Sequence, residues 1–417
     1  MKKIIVPLFL FFLVSCEQNT HQVAEKTTKI IDSVYVLTDA GKNSEGAFLF
    51  NNGQNIVLNW TEWDAHDSKQ NVLKFAVFNR KTLKFDSIQR VPLSKGLQMH
   101  AESMAKVAIK KDGTLLAVYR KKPKTDKSRF GGLMYYTFSK DGGKTWTKQY
   151  RLVEDAKSTS QSFYDIALLP DDNLGLTWLD SRSKRRGKTL YFARTDTLNL
   201  FSEQKPIAFS TCECCRTELF VDSRGYIHVA YRNLIEPDEE GFDGYGQTEI
   251  RDMYYLKSMD TARNFSRPIP ISKDNWHIYG CPHTGPSLAY DGNKLGAVWF
   301  TAARNKPGLF FTLYESDYFL PRKQISVEGR HPQMVAANGK FYRVYEEYHE
   351  VDGKGYYKIV LDIQSSDGSV QQKEISQPQT KNNHAVLTLF DDKLLIAWAN
   401  DDTRHPKILY KIVEVEQ

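Results

Sequence analysis

One unit recurs seven times along this 417-residue chain: an apolar strand, a tight polar turn, and a second apolar strand that ends in aromatic or charged residues. Clear copies are residues 104–120 (MAKVAIKKDGTLLAVYR), 165–180 (DIALLPDDNLGLTWLD), 217–233 (TELFVDSRGYIHVAYRN), 286–300, 332–347 and 385–400, with a looser first copy at 46–63. Helical periodicity is hard to find, whereas alternating β-branched and aromatic runs broken by Asp, Gly, Asn or Lys are everywhere. Hairpins at this spacing, with room for two more strands between successive copies, predict an all-β propeller of four-stranded antiparallel blades. Seven blades fit best, with six or eight as alternatives.

The outer strand pair of a blade is visible at residues 132–138 with 149–153 and at 253–257 with 268–271. After the seventh hairpin only residues 408–415 remain, so the last blade lacks a strand, and residues 30–37 (IIDSVYVL) can supply it. Joining both termini in one blade closes the ring and removes open sheet edges. The expected organisation is a leader at 1–16, a tether at 17–28 and one propeller domain at 29–417.

The leader is read from Lys2 and Lys3, an apolar run of about ten residues, and Leu-Val-Ser-Cys ending at Cys16, a signal peptide with a lipobox. The run is too short for a bilayer core, which takes roughly 20 helical residues. Cys16 is expected to carry the lipid, placing the chain at the cell envelope with the membrane as one partner. The formal net charge of +7 is spread as single residues, densest at Lys184-Arg185-Arg186, which reads as solvated loops and not as a nucleic-acid surface. A monomer is expected.

Between the outer strands of the second blade stands Ser139-Lys140-Asp141-Gly142-Gly143-Lys144-Thr145-Trp146, with a degenerate copy at Ser258-Met259-Asp260-Thr261-Ala262-Arg263-Asn264-Phe265. The first is a full match to the Asp-box, and the chain resembles the sialidase-type, Asp-box propellers. The motif concerns the turn: Asp and Ser bond its N–H groups, Gly allows positive φ, and Trp packs back between strands. The resemblance implies a glycoside hydrolase or related carbohydrate-active protein acting on an anionic glycan. Such enzymes use three arginines, an Asp acid/base and a Tyr nucleophile paired with Glu. The family's Phe/Tyr-Arg-Ile-Pro motif is absent, so no first triad arginine is assigned.

In a propeller the residues just before each hairpin converge at one mouth of the central channel. Here these are residues 43–45, 99–102, 160–164, 212–216, 281–284, 330–331 and 382–384, which include four histidines and all four cysteines after residue 16. Loops after the second strands add Arg and carboxylates. For a hydrolase the expected substrate anchors are Arg120, Arg182, Arg232 and Arg251. The acid/base candidates are Asp165, Asp180, Glu218 and Glu346, and Tyr164 is the tyrosine candidate. The alternative is a propeller binding copper or zinc through Cys212, Cys214, Cys215, Cys281, His283 and His100, a soft-to-borderline donor set. Cys281 bridging to Cys214 or Cys215 is the competing use of the thiols. His331 and His384 are expected to line a wet channel. A binding scaffold without chemistry is the third reading.

Overall fold

A computed structural model describes residues 33–39, 41–64, 67–123, 131–183, 185–235, 249–278, 280–304, 306–402 and 405–415. Cys16 and the tether lie outside them. The chain forms seven antiparallel blades around a central channel, and the inner strands are Lys42–Asn51, Lys106–Ile109, Gln161–Leu168, Glu218–Val221, Ser287–Tyr290, Gly329–Ala337 and Asn382–Phe390. Consecutive inner strands touch around the whole ring, the last packing on the first. The seventh blade is completed by Tyr35–Val36, which pairs with Leu409 and Tyr410. Tyr35 stacks on Tyr410 with centroids 4.9 Å apart.

The hydrophobic repeat explains this order. Each second strand carries one large aromatic at the same place: Trp60, Tyr119, Trp178, Tyr231, Trp299, Tyr345 and Trp398, all at most 1 % exposed. Burying each contributes roughly 2–3 kcal/mol. Most of the polar atoms find partners, while Trp60 Nε1 has none among the described residues. Trp178 Nε1 donates to Asp180, Trp299 Nε1 to Asp274, Trp398 Nε1 to Asn382, and the Tyr119 hydroxyl to Gln149. Core clusters span neighbouring sheets, and the one joining the first and seventh blades (Trp60, Phe78, Phe390, Tyr410) closes the ring by packing as well as by pairing.

The eight-residue turn of the second blade holds itself together. Ser139 Oγ donates to Asp141, Gly143 N–H donates to Ser139 Oγ at 2.9 Å, and Thr145 donates to Asp141 through both N–H and hydroxyl. These donors, the Thr145 hydroxyl first, lower the Asp141 carboxyl to about 2. Gly143 has φ +93°, and a Cβ there would come within 2.6 Å of the Phe75 ring. Gly143→Ala is expected to cost at least about 1–2 kcal/mol, read as a lower urea midpoint at unchanged slope.

Candidate functional site at the channel mouth

A backbone feature of the inner strands turns side chains into the mouth. Where four of the seven inner strands enter the sheet the register slips, between Glu45 and Phe48, Ser162 and Asp165, Arg330 and Gln333, and Asn383 and Val386. Each slip holds a residue at positive φ: Gly46 (70°), Phe163 (49°), His331 (50°) and His384 (50°), while His283 in the fifth blade has 60°. A bulge re-aims a side chain, and non-glycine residues held left-handed collect at functional sites. Three of these are histidines.

At the centre sits Arg216, fully wrapped. Its Nε donates to Glu102 Oε2 at 3.0 Å, its Nη2 to the Pro332 carbonyl at 3.2 Å, and its Nη1 lies 3.6 Å from Glu218. Burial pushes the Glu102 carboxyl up, and the Arg216 guanidinium outweighs it to hold Glu102 at about 2. His331 Nδ1 lies 2.7 Å from Glu346 Oε1, while Glu346 Oε2 accepts the His384 backbone N–H at 2.8 Å. The His331 and His384 rings stack at 4.3 Å. Behind this layer the channel widens into a cavity of about 430 Å³, walled by the inner strands, with Lys106, Asp165, Arg216 and Glu218 among its lining.

Glu218 is raised to about 7 by burial and by Asp165 beside it. Its folded pKa stands above its unfolded one, so the stability it contributes is full below the unfolded value, near 4.3. That stability is lost as pH rises through about 7. Glu218→Gln, which mimics the protonated form, should flatten a loss of roughly 2 kcal/mol that the wild type shows between pH 5 and 9 in denaturant titrations.

Around this centre the mouth divides by charge. On one side lie Arg120 and Lys188, and Lys188 donates to Ser160 and Ser162 at 3.1 and 2.7 Å. Burial first, then Arg120, brings Lys188 down to about 8. Arg251, just after the short ribbon of Glu249–Ile250 with His277–Ile278, donates to Cys212 Sγ at 3.4 Å and to Glu249 at 2.7 Å. On the other side burial and then Asp401 raise Glu45, and burial raises Asp401, which accepts from Asn383 at 2.7 Å. His100 stands between the two sides. Its Nδ1 accepts the Glu102 N–H at 3.2 Å, which assigns the ring proton to Nε2, and burial holds its pKa at about 4.

The structure separates the residues singled out from sequence. Asp180 is fully buried and accepts from Ser158, Trp178 Nε1 and the Arg182 N–H, so it closes a loop. Arg182 lies on Asp180 and over the Tyr191 ring, and Arg232 is spent on the Arg251 and Phe300 carbonyls beneath Trp276. Tyr164 is core, packed between blades, and is corrected as a nucleophile candidate. Asp165 pairs with Lys106 at 3.1 Å and accepts the Leu219 N–H, and with Glu218 it faces the cavity behind the plug. Of the acid/base set only Glu346 reaches the mouth, together with Arg120 and Arg251.

The cysteines are also rearranged. Cys212 and Cys215 are paired as a disulfide, a different pairing from the expected bridge to Cys281, and with Cys214 their sulfurs lie within 4.8 Å of one another. Cys214 and Cys281 are thiols, and burial pushes Cys214 up to about 12, which keeps its sulfur protonated. His283 lies beside His100, with ring centroids 4.6 Å apart, and its Nδ1 has no partner among the described residues. The repeat places Glu45, Glu102 and Arg216 at the mouth without a role, Asp401 is read there only as a charged loop residue, and Lys188 is passed over.

Solved structures share this arrangement of blades. The chain matches the polysaccharide lyase Uly1 over 95 % of its own length and 94 % of that chain, at 12 % identity and TM-score 0.55. It matches a PL25 ulvan lyase bound to -[GlcA(1-4)Rha3S]- over 88 % and 94 %, at 10 % identity and TM-score 0.55. The fold is the seven-bladed propeller. A sialidase from Trypanosoma rangeli is also similar, at 10 % identity and TM-score 0.47, over 93 % of this chain and 58 % of that one. No protein-family model matches the chain, and no curated protein does.

Proposed function

We propose that the protein cleaves glycosidic bonds in an anionic glycan laid across the mouth. The division of the mouth into a cationic side (Arg120, Lys188, Arg251) and a side of carboxyl groups with raised pKa (Glu45, Asp401) carries this reading. The cations hold carboxylate or sulfate groups, Arg through a planar fork and Lys as a point charge. Glu45, its pKa raised by burial and then by Asp401, donates a proton to the leaving oxygen. The neutral His100 presents Nε2–H to a substrate hydroxyl or ring oxygen. Uly1, of the same fold, is a polysaccharide lyase, and the PL25 ulvan lyase is bound to -[GlcA(1-4)Rha3S]-, which supports the substrate class. The leader ending at Cys16 supports lipid anchoring at the cell envelope, where polymeric glycans are met.

A proton donor to the leaving oxygen is needed whether water or an elimination breaks the bond, and the product tells which. The test is incubation with a panel of uronate-containing, sulfated and sialylated glycans. Saturated reducing ends mark hydrolysis, and an ultraviolet-absorbing unsaturated uronate marks elimination. Release from neutral glycans alone contradicts the proposal.

A further inference from the structure

The three donors at the centre of the mouth are not explained by glycan binding. Glu102 Oε1 faces two imidazole nitrogens, His384 Nε2 at 3.5 Å and His331 Nε2 at 4.0 Å. Both distances exceed a hydrogen bond of this type, 2.7–3.2 Å. They are near the separation of two ligands on one tetrahedral ion, about 3.4 Å for bonds of roughly 2.1 Å. The three ligand atoms all lie within 4.8 Å of one another.

The surroundings orient the donors for such an ion. His331 Nδ1 is held by Glu346 at 2.7 Å and His384 Nδ1 by Asn383 Oδ1 at 3.1 Å, which leaves both Nε2 lone pairs facing Glu102. A carboxylate or amide carbonyl behind a ligating imidazole is the usual outer support of a metal site. The second oxygen of Glu102 is fixed by Arg216. Both histidines stand at φ 50°, a cost the fold accepts in order to point them inward. Both imidazoles are about one-fifth exposed, so the site opens to the mouth.

We propose that Glu102, His331 and His384 form a binding site for one borderline divalent cation of the zinc type, with its remaining position open toward the mouth. Two histidines and one carboxylate with an open position is a donor set suited to such an ion. The site is separate from the cysteine cluster and does not depend on the glycan reading.

The full chain, stripped with chelator and dialysed, is titrated with Zn(II) by calorimetry and with Co(II) by visible absorption. One ion per chain is expected, without thiolate-to-cobalt charge transfer. His384→Ala should weaken binding by about 100-fold or more and Glu346→Gln by about 10–100-fold. The Cys214→Ser, Cys281→Ser double variant should bind as wild type. No binding to the wild type, or binding lost in the cysteine variant and kept in His384→Ala, overturns the proposal. Should His384→Ala fail to fold, zinc protection of His331 and His384 from diethyl pyrocarbonate in the wild type decides. Protection of both supports the site, and equal modification with and without zinc sinks it.

Discussion

Arg216→Met is expected to destabilise the protein by about 3–5 kcal/mol, the largest loss of any single change in the channel. Its side chain is 6 % exposed, and its guanidinium ties residues at the inner edge of four blades: Glu102, Glu218, and the carbonyls of Gly285 and Pro332. Methionine fills much of the volume but removes the guanidinium that bonds the buried Glu102 Oε2 and faces Glu218. Breaking a buried pair from one side costs far more than replacing both partners, because an uncompensated charge remains. Glu102→Gln combined with Arg216→Met should therefore recover part of the loss, and a double-mutant cycle on urea midpoints measures it. Equal losses in the single and double variants would mean that Arg216 acts through packing alone.

Glu45→Gln is expected to lower kcat on an anionic glycan by about 10²–10⁴-fold, the usual range for removing a positioned proton donor. The amide keeps the shape of the protonated acid, so KM should change little. Because burial and Asp401 raise Glu45, the acid stays protonated to higher pH than an ordinary glutamate. Wild-type kcat should fall as pH rises through that raised value. Asp401→Asn removes the neighbouring negative charge, so the fall should move to lower pH. A profile unmoved by Asp401→Asn excludes coupling between the two.

Much of the fold is legible in the sequence because each blade repeats one physical problem, how to bury an aromatic on its second strand. Trp60, Tyr119, Trp178, Tyr231, Trp299, Tyr345 and Trp398 solve it seven times. The closing strand is legible for a different reason: the chain runs out one strand short. The site is harder to read because it depends on departures from the repeat. The slip between Ser162 and Asp165 breaks strict alternation, sending Tyr164 into the core and Asp165 to the channel. Asp180 has the composition of a solvated rim residue, yet Ser158, distant by 22 residues, folds back to bond it. Arg232 is consumed because the ribbon Glu249–Ile250 with His277–Ile278 brings Trp276 over it, and nothing in the hairpin pattern announces that ribbon. Lys188 begins a third strand, a place the hairpin count does not examine. The histidines at the mouth were located from the repeat, while their pairing with Glu102 and Glu346 needed the geometry.

The most direct test of the central claim compares turnover of an acidic glycan with that of its carboxyl-reduced, desulfated counterpart, by wild type and by a Lys188→Ala, Arg120→Ala variant. If the cationic side of the mouth holds the substrate, wild type cleaves the acidic polymer and not the neutral one, and the variant loses about 10-fold or more in kcat/KM on the acidic polymer. Equal cleavage of both polymers, or an acidic-polymer rate untouched by the loss of both cations, would contradict the account.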